Sequence, residues 1–174
     1  MRPTREPLRQ TGHSYFVSSQ TADRKPFFRH ERWAQLFLDV LEHYRTGYLL
    51  HAYVLMPDHV HLLLTPTESL EKTVQQLKGG FSYRVKKELN WNDEVWQKGF
   101  SDHRIRDIGD WNQHLQYIRM NPVRARLCIE PEEYSYGSHS GVLVLDEIPQ
   151  RLKPLTFCAN DGGAEAPPLQ RSID

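Results

Sequence analysis

Residues 49–65, LLHAYVLMPDHVHLLLT, read as two apolar strands joined by a tight turn at Pro57-Asp58. Each run, 49–56 and 59–65, has the length of an ordinary strand. Side chains alternate across a strand, so His59 and His61 leave one face while Val60, Leu62 and Leu64 leave the other. Strand rise puts the two imidazoles about 7 Å apart along the backbone, within reach of one divalent cation. An isolated H-x-H on a strand is more often a pair of hydrogen-bonded sheet residues, so the surrounding chain has to decide between the two readings.

Upstream, Trp33, Leu36, Phe37, Val40, Leu41 and Tyr44 fall at i, i+3, i+4, i+7, i+8 and i+11, the stripe of an amphipathic helix ending near Gly47. Before it, residues 13–21 (HSYFVSSQT) have strand-like content and residues 23–26 (DRKP) form a turn. Downstream, Ser69 is an N-cap, with Lys72 at the capping-box position where Glu would be usual. Leu70, Val74, Leu77, Phe81, Val85 and Leu89 line the helix that follows. Gly79-Gly80 inside it costs about 1 kcal/mol per residue relative to alanine, so a packing reason or a kink is expected there. Residues 90–93 form a loop and residues 100–106 a fourth strand. Asp110 is expected to cap a third helix with Trp111, Leu115 and Ile118 as its core stripe, stopped by Asn121-Pro122.

Strand, helix, strand, strand, helix, strand is the split β-α-β pattern of ferredoxin-like α+β folds. It predicts an antiparallel sheet of four to five strands with two helices on one face. The opposite face is left open for a site or a polymer, with the third helix near it. The expected division is a flexible arm over residues 1–12, a folded domain over 13–140, and an acidic, largely irregular tail over 141–174, disordered from Ala159.

A chain of 174 residues suffices for one domain that folds without disulfides. Cys128 and Cys158 lack CxxC spacing and read as free thiols of a reducing compartment. No N-terminal apolar segment suggests a signal peptide, and the longest apolar run, 48–56, is too short to span a bilayer. A cytoplasmic location without membrane association is therefore expected. There is no Walker motif, so no nucleotide cofactor is expected. Net charge is zero, but residues 72–129 carry 11 basic and 6 acidic side chains, whereas residues 130–174 carry 3 basic and 8 acidic. A basic middle beside an acidic end keeps nucleic acid in view as a partner.

On the third helix Tyr117 and Asn121 are four apart and hence neighbours, with His114 on the same flank. Taken singly, the tyrosine is a rim packing residue and the asparagine a helix stop. Cupin-type barrels also use H-x-H ligands, but three long helices and few strands do not suit a barrel.

Together, MPDHVHLLL, WQKGFSDHRIRD and HLQYIRMNPVRARL resemble the single-tyrosine HUH transposases, and within them the REP-associated tyrosine transposases, over about residues 13–138. The resemblance implies that His59, His61 and Asn121 bind a divalent metal, Mg²⁺ or Mn²⁺, and that Tyr117 is the nucleophile. Tyrosine, with a pKa near 10, is a weak nucleophile at neutral pH and needs such help against a phosphodiester. Imidazole ligands favour Mn²⁺ over Mg²⁺. The implied product is a 5′-phosphotyrosine with a free 3′-OH, and the implied substrate is single-stranded or hairpin DNA. Asp58 and His114 are candidate orienters of these groups, Asp58 being equally a turn residue. Relatives work as dimers or, in the REP-associated subgroup, as monomers. The chain departs from the family at Arg126, where many relatives have glycine, so a different helix exit is expected.

Candidate DNA contacts are Lys78, Arg84, Lys86, Lys87, Arg104, Arg106, Arg119 and Arg124. Trp91, Trp96 and Phe100 are candidates for stacking on unpaired bases, unless two of the three belong to the core. Two alternatives stand beside strand transfer: a non-catalytic ferredoxin-like module that binds structured DNA or RNA, and a replication initiator or relaxase with the same HUH chemistry.

Overall fold

Strands β1 (Tyr15–Gln20), β2 (Tyr48–Met56), β3 (His59–Pro66) and β4 (Ser101–Arg104) form one antiparallel sheet in the order β2-β3-β1-β4 in a computed structural model that describes residues 12–152. Helices α1 (Glu31–His43), α2 (Leu70–Leu89) and α3 (Ile108–Arg124) follow β1, β3 and β4. This is the expected split β-α-β arrangement, with four strands. Residues 1–11, the tail from 153 onward and Cys158 lie outside the described residues. No helix among the described residues is long and apolar enough to cross a membrane.

A single extra residue in β2 sets which side chains reach which face. Leu50 pairs with Leu64 and Ala52 with Leu63, so His51 is a bulge. Without it, Leu50 and Ala52 would share a face. With it, Leu50, Tyr53 and Leu55 face one core while Ala52, Val54 and Met56 face another. The bulged His51 is itself buried and paired, Nε2 to Thr65 Oγ1 at 2.9 Å, with its ring edge-on to Trp111 at 4.9 Å.

The larger core holds Val17, Leu50, Tyr53, Val60, Leu62 and Leu64 against the apolar stripes of α1 and α2. Val60, Leu62 and Leu64 thus lie on the helix-covered side, as their alternation with His59 and His61 requires. The opposite face is not open. Ala52, Val54, Met56 and Leu63 make it apolar, and α3 buries it with Trp111 and Ile118, joined by Ile105 and Leu152. An apolar sheet face of this kind is not left in water. Residues 141–149 are irregular, yet Leu143 reaches the main core, and Asp146 accepts from Arg45 Nη2 and the Leu50 backbone N–H, both at 2.7 Å.

Helix α3 departs from expectation at both ends. Its cap is Asp107, whose carboxylate accepts from Asp110 N–H at 2.9 Å, and not Asp110. Pro122 does not stop it but sits inside, buried with Trp111 and Ile118, while Leu115 remains 37% exposed beside a shallow cleft. The true exit is a Schellman turn, with Arg126 N–H to Val123 O and Leu127 N–H to Pro122 O, both 2.9 Å. Arg126 there has φ 57°, the left-handed conformation that glycine adopts most readily. Arginine at this position therefore leaves the exit a glycine-type turn rather than altering it.

The paired glycines of α2 have different neighbours. A Cβ on Gly80 would lie 2.6 Å from Tyr44 Cε2, whereas one on Gly79 would meet nothing within 4 Å. Gly80 is thus the point where the residue capping α1 closes on α2. Gly79→Ala is expected to raise the unfolding free energy by about 0.5–1 kcal/mol. Gly80→Ala, with the same propensity gain, must displace the Tyr44 ring and is expected to fall below Gly79→Ala by about 1 kcal/mol or more. Urea-unfolding midpoints of the two variants check this, and equal midpoints would contradict the close approach.

Candidate active site

The turn between β2 and β3 is anchored before it presents the histidines. Thr21 donates to Asp58 O from both its backbone N–H and Oγ1, at 2.9 Å each, and Phe28 N–H reaches Pro57 O at 3.0 Å. The Asp58 carboxylate lies 2.6 Å from His59 Nδ1 and 3.7 Å from Arg24 Nε. Such a contact fixes the ring and keeps the proton on Nδ1, leaving Nε2 with its lone pair. Asp58 is therefore both the turn residue and a partner of His59.

His61, on the same face, is 6% exposed, and neither ring nitrogen has a hydrogen-bond partner. Its ring lies 4.8 Å from that of His59 and is stacked at 5.1 Å on Phe16 of β1. Burial, reinforced by the neighbouring His59, pushes its pKa down to about 3. A neutral buried imidazole with two unsatisfied nitrogens suits a metal ligand, and so does the adjoining His59.

Helix α3 crosses this face and brings Tyr117 to the pair. The Tyr117 ring is 5.3 Å from His61, edge-on, and 38% exposed, with Phe16 at 5.7 Å and Arg124 Cζ over its ring at 5.6 Å. The phenol is neither buried in a core nor on the far side of the sheet. Phe16, Gln113, His114, Gln116, Tyr117 and Arg124 line a cleft of about 320 Å³. Asn121, half-buried, lies one helical turn beyond Tyr117 on the same flank. His114 turns instead toward Asp110, Nδ1 donating to its backbone O at 2.8 Å, with its ring 4.8 Å from Phe16. Sequence reading missed Phe16, which touches His61, His114 and Tyr117 together.

The eight candidate DNA contacts do not form one patch. Lys78, Arg84, Lys86 and Lys87 lie on α2, across the sheet from the histidines. Lys78 Nζ is bonded to the carbonyls of Gln97 and Gly99 at 2.9 and 2.5 Å, and Arg84 pairs with Glu88 at 2.6 Å. Arg104 lies opposite Tyr15 and shares its face. Arg106, Arg119 and Arg124 belong to α3 or its approach, Arg119 being paired with Glu132 at 2.6 Å. Trp96 is 8% exposed, and Trp91 and Phe100 pack against the same core, so all three are structural.

His61 also makes stability depend on pH in a defined direction. Its pKa falls from 6.5 in the unfolded chain to about 3 when folded, so between these values the unfolded state binds more protons. Its contribution is complete above pH 6.5 and is lost as pH falls toward 3. Between pH 6.5 and 4, metal-free protein is expected to lose on the order of 2–3 kcal/mol through this group. Urea unfolding across that range should show His61→Leu losing less than wild type by about this amount, and parallel curves would contradict the assignment.

Comparison with known proteins bears on the family and the fold. The profile of the IS200-like transposases matches residues 10–121. A candidate REP-associated tyrosine transposase of Haemophilus influenzae is 28% identical over 142 residues, 73% of this chain and 80% of that protein. The REP-associated tyrosine transposase of Escherichia coli K12 is 28% identical over 78 residues, 43% of this chain and 44% of that protein. A REP-associated tyrosine transposase solved bound to a REP hairpin shares the fold, with TM-score 0.70 and 19% identity over 98% of this chain and all of that one. With the profile matching residues 10–121, well over half of its length, this chain belongs to the IS200-like transposase family.

Proposed function

We propose that this protein cuts and rejoins single-stranded DNA beside hairpins, with Tyr117 as the nucleophile. The observation that carries the reading is the partly exposed Tyr117 ring 5.3 Å from a buried, neutral and unpartnered His61. His59, His61 and Asn121 would hold the divalent ion, Mg²⁺ or Mn²⁺. When bound, that ion neutralises and orients the scissile phosphate. Asp58 holds His59 with its free nitrogen available. Phe16 supports His61 and Tyr117 from β1 and excludes water from their rear. Arg124, over the Tyr117 ring, supplies positive charge where the phosphate would enter.

In the chemical step the phenol oxygen of Tyr117 bonds to phosphorus and the bond to the 3′ oxygen breaks. The phenol proton leaves and the departing oxygen ends as a 3′-OH. The phosphotyrosine ester keeps the bond available for rejoining by another 3′-OH without an external energy source. The hairpin preference rests on the REP hairpin bound by the similar solved transposase.

The reading is tested with a hairpin oligonucleotide carrying a 5′ single-stranded extension, incubated with protein and Mn²⁺. A protein–DNA adduct that survives denaturation is expected. Hairpin binding that is indifferent to chelator, with no adduct, would instead support a non-catalytic nucleic-acid-binding module.

A further inference from the structure

His103 of β4, with Asp110 and His114 of α3, forms a second group of metal-ligating side chains that the proposed reaction does not use. Their ligand atoms all lie within 4.8 Å of one another, and it is the one such group of three His, Cys, Asp or Glu among the described residues. The Phe16 ring separates it from the histidine pair, lying 4.8 Å from His114 and 5.1 Å from His61.

Backbone groups hold the cluster in place. Asp110 Oδ2 accepts the Arg106 backbone N–H at 3.0 Å, which fixes the carboxylate. His114 Nδ1 donates to the Asp110 backbone O at 2.8 Å, which leaves Nε2 with its lone pair. That backbone anchor is the usual companion of a metal-bound histidine. The His103 and His114 rings stack at 4.6 Å and 18°, and the Nδ1 edge of His114 lies 3.0 Å from Asp110 Oδ1. His103 Nε2 lies 2.8 Å from Asp110 Oδ2 and 3.0 Å from Oδ1. One proton now occupies the gap that an ion would take. All three side chains are partly exposed, which leaves a further position for water.

We propose that His103, Asp110 and His114 form a second divalent transition-metal site, of the Zn²⁺ class, that fastens β4 to the start of the tyrosine helix. Two imidazoles and one carboxylate with an open position are a common donor set for such ions. Tetrahedral Zn²⁺ spaces its ligands about 3.3 Å apart, so closing from the present spread takes small side-chain rotations. Binding moves the His103 proton to its Nδ1 or releases it to solvent, and the ion bridges the nitrogen and the carboxylate. His114 lies three residues before Tyr117, so an ion here would stiffen the helix segment that aims the phenol.

The test isolates this site from the histidine pair. The full chain carrying His59→Ala and His61→Ala is titrated with Zn²⁺ alone by calorimetry. It is then compared with the same protein also carrying His103→Ala, a half-exposed change on an edge strand. One ion per chain is expected in the first and none in the second. Zn²⁺ is also expected to slow hydrogen exchange across residues 107–117 in the first only. If the double variant folds poorly, wild type against His103→Ala gives the same reading, as a loss of one bound ion. No Zn²⁺ uptake without the His59/His61 pair, or uptake unchanged by His103→Ala, would overturn the site. Failure here leaves the Tyr117 reaction standing, and failure of that reaction leaves this ion count unchanged.

Discussion

Tyr117→Phe is expected to abolish the covalent protein–DNA adduct while leaving hairpin affinity close to wild type. Phenylalanine keeps the ring against His61, Phe16 and Arg124 and removes only the oxygen. Loss of a nucleophile typically lowers turnover by about four orders of magnitude or more, because the remaining groups have nothing to activate. A labelled hairpin oligonucleotide on a denaturing gel reads the adduct, and a mobility shift on the same samples reads affinity. An adduct formed by the phenylalanine variant would remove Tyr117 from its role.

The second large effect is expected at His61. His61→Gln should lower cleavage with Mn²⁺ by about 10²–10³-fold, the scale on which one electrostatic contributor to a transition state acts. The decisive feature is non-additivity. If His61 works through a bound cation, a chelator should depress the wild type to the level of the variant and do nothing further to the variant. A variant still lowered by chelator would show that the cation is held without His61. Asp58→Asn should act in the same direction but more weakly, about 10–100-fold in metal affinity, because it acts through the His59 ring.

Much of this arrangement was legible in the chain. The 3.6-residue stripes of α1 and α2, the hairpin around Pro57-Asp58 and the common face of His59 and His61 follow from local periodicity alone. What escaped depends on contacts between distant segments. Phe16 reads as one aromatic in a strand, and only the β1–β3 register, which pairs it with Leu63 beside His61, gives it a place at the site. Asp110 and Asp107, three residues earlier, satisfy the same local cap rule, and the fold uses Asp107. Pro122 signals a stop by its missing N–H, yet burial on the sheet face carries the helix through it to Arg124. Charge along the sequence groups the basic residues of α2 with those of α3, although the sheet lies between them.

Tyr117, and no other tyrosine among the eight in the chain, is expected to take the DNA. Trypsin releases residues 107–119, DIGDWNQHLQYIR, a peptide whose only tyrosine is Tyr117. Mass spectrometry of the trapped adduct, after digestion of the DNA, should find the residual 5′-linked nucleotide on that peptide. Its presence on a peptide carrying a different tyrosine, or a denaturation-resistant adduct with residues 107–119 recovered unmodified, would contradict the account.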